Sequence, residues 1–143
     1  MLKRLLPALV LCACLPAAAF AQPTIHVTGG WIRLLPGDLP LAGYFTLHNG
    51  GAQAIKLVGA SGPGFARIQL HRSMTMHGMD KMVPVPEITV PAGKTFAFAP
   101  GGYHLMLWRN GTLNVGENVP ITLKFADGRK IEATFVVKSA AGG

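Results

Sequence analysis

Eight side chains carry the densest chemistry in this 143-residue sequence: His71, Met74, Met76, His77, Met79, Met82, His104 and Met106. Methionine ordinarily fills gaps in an apolar core. Here, four methionines fall within the nine residues from Met74 to Met82, a segment that also holds Gly78, Asp80 and Lys81 and lacks alternating apolar partners. Most of these thioethers therefore serve no core, and a flexible, adhesive surface stays open as the simpler reading. His104 and Met106 add a second signal. On a strand, residues two apart share a face, so the pair projects together while Tyr103, Leu105 and Leu107 turn inward. His71 ends one candidate strand and opens the methionine segment, and Met82 closes it. Two imidazoles and two thioethers can thus meet at one end of a β-sandwich. Imidazole suits Cu, Zn, Fe and Ni, and thioether is a soft donor. Zinc sites favour Cys, His and carboxylate, and calcium and magnesium take oxygen. The set that remains selects Cu(I), bound by neutral ligands that need shed few protons. A blue-copper electron carrier needs a Cys ligand, and no cysteine follows Cys14.

The elements that must position these residues read as strands. No 3.6-residue apolar period runs far, whereas short alternating runs broken by Gly, Pro and Asn recur, the pattern of an all-β sandwich. Candidate strands are Ile25–Arg33, Gly43–His48, Ala54–Ser61, Arg67–Arg72, Thr95–Ala99, Tyr103–Trp108, Val119–Phe125 and Lys130–Val137. Asp127-Gly128 predicts a tight type I′ hairpin turn between the last two. Asn49-Gly50-Gly51 and Pro100-Gly101-Gly102 are further turns. Ser73 to Pro86 reads as a long irregular loop, of a length often tied to function.

Residues 1–21 are expected to be a secretory signal peptide. Lys3 and Arg4 form its charged start, Leu5 to Leu15 its apolar stretch, and Ala19-Phe20-Ala21 the cleavage site before Gln22. A membrane anchor needs about 20 apolar residues, and this run is shorter and meets Pro16. Leu11-Cys12-Ala13-Cys14 faintly resembles a lipoprotein box, with Cys12 a poor fit. Residues 22–143 then form a single domain, with 138–143 a frayed tail. Both cysteines, Cys12 and Cys14, leave with the leader, so neither disulfides nor thiol chemistry remains. Without Lys3 and Arg4, 11 basic side chains face 6 acidic ones, scattered singly, which offers no stripe for nucleic acid.

The spacing His71-x10-Met82-x21-His104-x-Met106 resembles that of the periplasmic copper chaperones of the PCuAC family, complete at all four positions. The likeness extends through Ala42-Gly43-Tyr44-Phe45-Thr46-Leu47, Leu57-Val58-Gly59-Ala60-Ser61, Pro91-Ala92-Gly93 and Pro100-Gly101-Gly102-Tyr103. It implies a cupredoxin-like Greek-key β-sandwich or barrel in the periplasm, binding one Cu(I) through His71, Met82, His104 and Met106. It also implies delivery to the Cu-A centre of cytochrome c oxidase, directly or through a Sco-type protein. The chain ends Ser139-Ala140-Ala141-Gly142-Gly143, without the His- and Met-rich tail that some members tie to Cu(II). Met74, Met76, His77 and Met79 exceed the pattern and stand as candidate auxiliary ligands.

Elsewhere, His26 and His48 read as surface or strand-end residues, and Trp108 shares the face of His104 and Met106 and could shield an ion. Asp38, Asp80, Glu87, Glu117, Asp127 and Glu132 form no acid–base pair or triad. The expectation is a monomeric carrier, not an enzyme, with no stable membrane insertion after cleavage. Its competitors are a copper-sequestering resistance protein and a β-sandwich binding module without metal.

Overall fold

The computed structural model describes residues 24–141, so the expected leader at 1–21 lies outside the described residues, as do Gly142 and Gly143. The described residues form strands and no helix: β1 (Ile25–Arg33), β2 (Leu41–Asn49), β3 (Ile55–Ser61), β4 (Phe65–Met76), β5 (Met79–Pro84), β6 (Ile88–Val90), β7 (Thr95–Phe98), β8 (Tyr103–Arg109), β9 (Asn118–Phe125) and β10 (Lys130–Lys138). Hydrogen bonding runs β4-β8-β2-β1-β10-β9-β3 and returns from β3 to β4, which closes a seven-stranded barrel. β1 and β10 pair in parallel, and the other pairings are antiparallel. Because most spatial neighbours are not neighbours in sequence, Greek-key crossovers connect them.

Alternation explains why these segments form strands. In β9, Val119, Ile121, Leu123 and Phe125 are buried while Asn118 and Pro120 are exposed. Leu47, Leu57, Leu105, Leu107, Ile121, Leu123 and Phe135 fill the barrel with no exposed surface, each worth about 1.5–3 kcal/mol of burial. Phe45 stacks on Phe98 at 4.1 Å and meets Phe135 edge-on at 5.6 Å. The buried Asn49 is fully engaged. Its amide donates to Gln53 O and Val90 O, and its carbonyl accepts from Gly51 N–H. Lys138 pairs with Arg33 at the end of β10, so ordered strand extends one residue into the segment expected to be frayed.

Two turn expectations need correcting. The segment Ser73 to Pro86 is not an irregular loop: β4 runs on to Met76, the chain reverses at His77-Gly78, and β5 returns along it from Met79↔Met76 to Pro84↔His71. The positive φ angles of His77 (52°) and Gly78 (74°) give the two-residue loop a type I′ twist. His, like Asn and Asp, is among the side chains that enter this region most readily. Conversely, the β9–β10 connection is not type I′, since Gly128 alone has positive φ there, at 89°. Gly128 N–H donates to Phe125 O, and the Asp127 carboxylate accepts from Arg129 N–H, making a type I turn closed by a glycine bulge.

Candidate metal centre

β4 and β8 lie side by side, and His71 stands directly opposite His104. Directly opposed residues share a face of the sheet. The next pairs on that face are Gln69↔Met106 and then Arg67↔Trp108. On the other side of β4, Ser73 faces Met82, so Met82 takes the same outward face as His71. All four residues of the expected ligand set therefore occupy one face of the sheet, three on barrel strands and Met82 on β5. Behind them, Leu70, Leu105 and Leu107 anchor the two barrel strands in the core.

The two imidazoles are buried, with ring centroids 6.0 Å apart. Each uses one nitrogen and leaves the other without a partner. His104 Nδ1–H donates to Gly102 O at 3.3 Å, and its buried Nε2 has no hydrogen bond. His71 Nε2–H donates to Gln69 Oε1 at 3.3 Å, and its buried Nδ1 is likewise unpartnered. Since a carbonyl oxygen can only accept, these contacts leave an unshared lone pair on the free nitrogen of each ring. Outer-shell bonds of this kind fix the tautomer and orientation of metal-binding histidines. Burial holds His71 below the ordinary imidazole range, helped by the like charges of His104 and Arg67. Burial does the same to His104, against the upward pull of its bond to Gly102. Both rings thus favour the neutral form that a metal needs. Among the described residues no three of His, Cys, Asp and Glu gather at one place. The thioethers of Met82 and Met106 are soft donors on the same face as this pair.

The surroundings are aromatic and asymmetric. Tyr44 lies 6.3 Å from His104, and Trp108 meets His71 edge-on at 5.9 Å. Met106 is half-buried, whereas Met82 is 55% exposed. Beyond Tyr103, β4 and β5 continue as a two-stranded arm whose one bond to the rest of the sheet is Ser73 N–H to Gly102 O, at 3.0 Å. A recess of 290 Å³ opens beside Met82, bordered by Ser73, Thr75 and Gly101. Met74 faces Lys81 and Met76 faces Met79, on the opposite side of the arm from Met82, and His77 occupies the turn. Register thus sets Met74, Met76 and Met79 on the face opposite Met82, although Met74 also borders the recess beside Met82. His26 and His48 stack on each other at 6.3 Å on β1 and β2, where His48 bonds Thr95 Oγ1. Sequence reading missed Gln69 and Gly102. The usable signal was period two, because each precedes a histidine of the pair by two residues.

Residues 25–137 match the family described as "Putative lipoprotein LpqE-like". The chain is 30% identical over 120 residues to "Putative lipoprotein Lxx21020" of Leifsonia xyli subsp. xyli, covering 82% of this chain and 72% of that protein. It is 33% identical over 110 residues to an uncharacterized protein of Rickettsia prowazekii, covering 76% of this chain and 57% of the relative. Among solved structures, the Cu(I) form of DR1885 from Deinococcus radiodurans superposes with a TM-score of 0.66 at 38% identity, over 85% of this chain and 83% of that one. The copper-bound PCuAC domain of PmoF2 gives the same TM-score at 22% identity, over 83% of this chain and 99% of that domain. The barrel is thus the cupredoxin-like fold of PCuAC domains.

Proposed function

The chain belongs to the LpqE-like family, and from that premise we propose that it is an exported Cu(I) carrier whose ion is held by His71, Met82, His104 and Met106. One observation carries this reading. Two buried histidines face each other across β4 and β8, each with one nitrogen hydrogen-bonded and the other left open. A buried polar atom without a partner is costly, and a soft metal ion would satisfy both atoms at once. Two thioethers on the same face complete a neutral set of the kind Cu(I) prefers. The similarity to DR1885, which has been solved in a Cu(I) form, supports the assignment.

The unequal exposure of the ligands suggests how copper is passed on. His71, His104 and Met106 are fixed on strands backed by the core, and Met82 sits on the open edge strand of the arm beside the recess. An acceptor's sulfur or imidazole enters there, Met82 leaves first, and the ion moves between proteins without being released. In this reading Met74, Met76, His77 and Met79 stay outside the resting site. The protein acts as a monomer in the periplasm after cleavage behind Ala21, and it is a carrier with no catalytic activity. The lipoprotein descriptions of its relatives support export. The acceptor is the Cu-A centre of cytochrome c oxidase, reached directly or through a Sco-type protein.

A Cu(I) competition titration followed by native mass spectrometry tests the site. The parent should take one Cu(I) per chain, Met82→Leu should hold it more weakly, and His104→Ala should lose it. Variants that both bind like the parent would overturn the assignment. Deletion in cells then separates delivery from sequestration. Loss of oxidase activity at low copper supports delivery, and copper sensitivity with normal oxidase supports sequestration.

A further inference from the structure

The face that carries the site is bordered by cations that pair with no acid among the described residues. Cross-strand pairing places Lys138, Arg33, Ala42, Met106 and Gln69 in one row, and Arg67 stands opposite Trp108 two residues further along β4 and β8, on the same face. Met106 therefore lies between Arg33 on one side and Arg67 on the other. Strand spacing of about 4.8 Å puts both within about 10 Å of it at the backbone. Aromatic rings brace each cation. Arg67 Cζ sits 3.8 Å from the Trp108 ring centre, Arg33 Cζ lies 5.5 Å from both Trp31 and Tyr44, and Lys138 Nζ lies 5.4 Å from Trp31. Stacking orders a guanidinium while leaving its N–H fork free. The Nε of Arg33 is buried and makes no hydrogen bond. The ion pairs among the described residues, Lys56–Glu87 and Arg129–Asp127, use none of these cations.

A surface that held copper and nothing else would gain little from such a border, because bound Cu(I) adds positive charge to it. The pre-ordered, unpaired forks fit carboxylates, which guanidinium binds through two parallel hydrogen bonds. We propose that Arg33 and Arg67 form a docking frame for an acidic partner, whose copper-receiving ligands are surrounded by carboxylates that seat on the two guanidinium groups, with Lys138 adding long-range attraction. This deepens the carrier reading and rests on it. Such a frame acts mainly on the rate of encounter, and because the charges are partly exposed, salt should weaken it.

The test uses two synthetic acceptor peptides with the same Cys-X-X-Cys ligand pair, one flanked by glutamates and the other by glutamines. Cu(I) transfer from the loaded full-length protein is followed by stopped flow at low and high salt. The parent should load the glutamate peptide faster at low salt and lose that advantage at high salt. At pH 7.5, above the ordinary imidazole value of about 6.5, where His71 stays neutral without help from Arg67, Arg33→Gln with Arg67→Gln should bind Cu(I) like the parent, yet slow transfer to the glutamate peptide about tenfold at low salt. Transfer to the glutamine peptide should not change. A parent that takes up no Cu(I) overturns the carrier reading and the frame together. A loaded parent that serves both peptides equally, or a double variant slowed equally for both, overturns the frame alone.

Discussion

His104 and Met82 would grip one ion from opposite mechanical settings. β8 is flanked by β4 and β2, and His104 is 2% exposed, held by Gly102 and backed by the fully buried Leu105. Met82 lies on β5, which has a partner along one edge only, within an arm that leaves the barrel and carries no buried residue beyond His71. The difference lies in cooperativity. A residue on a core strand moves only when the barrel opens, whereas an arm of two strands can open locally at small cost. A carrier needs both behaviours, one to retain the ion and one to yield it.

The largest expected effect comes from breaking the rigid half. Leu105→Ala removes a fully buried side chain from the strand that holds His104 and Met106, at a cost of about 3 kcal/mol. Urea denaturation should show that loss, and Cu(I) retention should fall with it. Met79→Ser, on the arm and 60% exposed, should stay within about 0.5 kcal/mol of the parent. If the two variants cost the same, the division between frame and arm is wrong.

A smaller effect should separate orientation from stability. Gln69→Leu leaves the fold intact but removes the acceptor that holds His71 Nε2–H. Loss of an outer-shell partner of this kind weakens metal binding about tenfold, or about 1.4 kcal/mol. The competition titration should show that drop while the melting temperature stays put. An unchanged affinity would mean that the edge contact with Trp108 is enough to orient the ring. Smaller again is Gly78→Ala, where an alanine must adopt a φ of 74°, at about 1 kcal/mol. Amide exchange should quicken from Met79 to Met82 and stay unchanged at Leu105. Uniform quickening would show that the arm opens only with the barrel.

The same division governs what could be read from the sequence. The eight expected strands are all present because each packs apolar side chains against one core, and β9 shows the alternation without a break. β5 escaped notice because it has no core to face and so carries no apolar alternation: Met79, Asp80, Lys81 and Met82 are all exposed. His77-Gly78 lacks the Asn-Gly or Asp-Gly signature that a hairpin search looks for, whereas Asp127-Gly128 has it and folds into another turn. The spacing of His71, Met82, His104 and Met106 singled them out. Their common face depends on the register of β4 against β5 and β8, which is set by long-range pairing. The cation border was still harder to see, because it combines β10, β1 and β4, segments distant in sequence.

The weakest lever is pH, and it acts on the rigid half alone. Burial lowers the pKa of His71 and His104 in the folded chain, while in the unfolded chain both return to about 6.5. As pH falls below that value, the unfolded chain takes up protons that the folded chain refuses, so the metal-free protein loses stability. The loss begins near the unfolded pKa and levels off once pH passes below the lowered folded values. Asp127 belongs to a separate window. Its carboxylate is held low chiefly by the Arg129 backbone N–H, so its contribution stays in place until pH drops below 3.8. Urea titrations of the metal-free protein near pH 7.5 and pH 5.5 should therefore differ, through the histidines and not through that turn. His104→Gln should shrink the difference, and Asp127→Asn should leave it intact. If instead His104→Gln has no effect and Asp127→Asn removes the difference, the two rings are not the groups that feel the pH. Their unpartnered nitrogens would then no longer mark a site kept neutral for a metal.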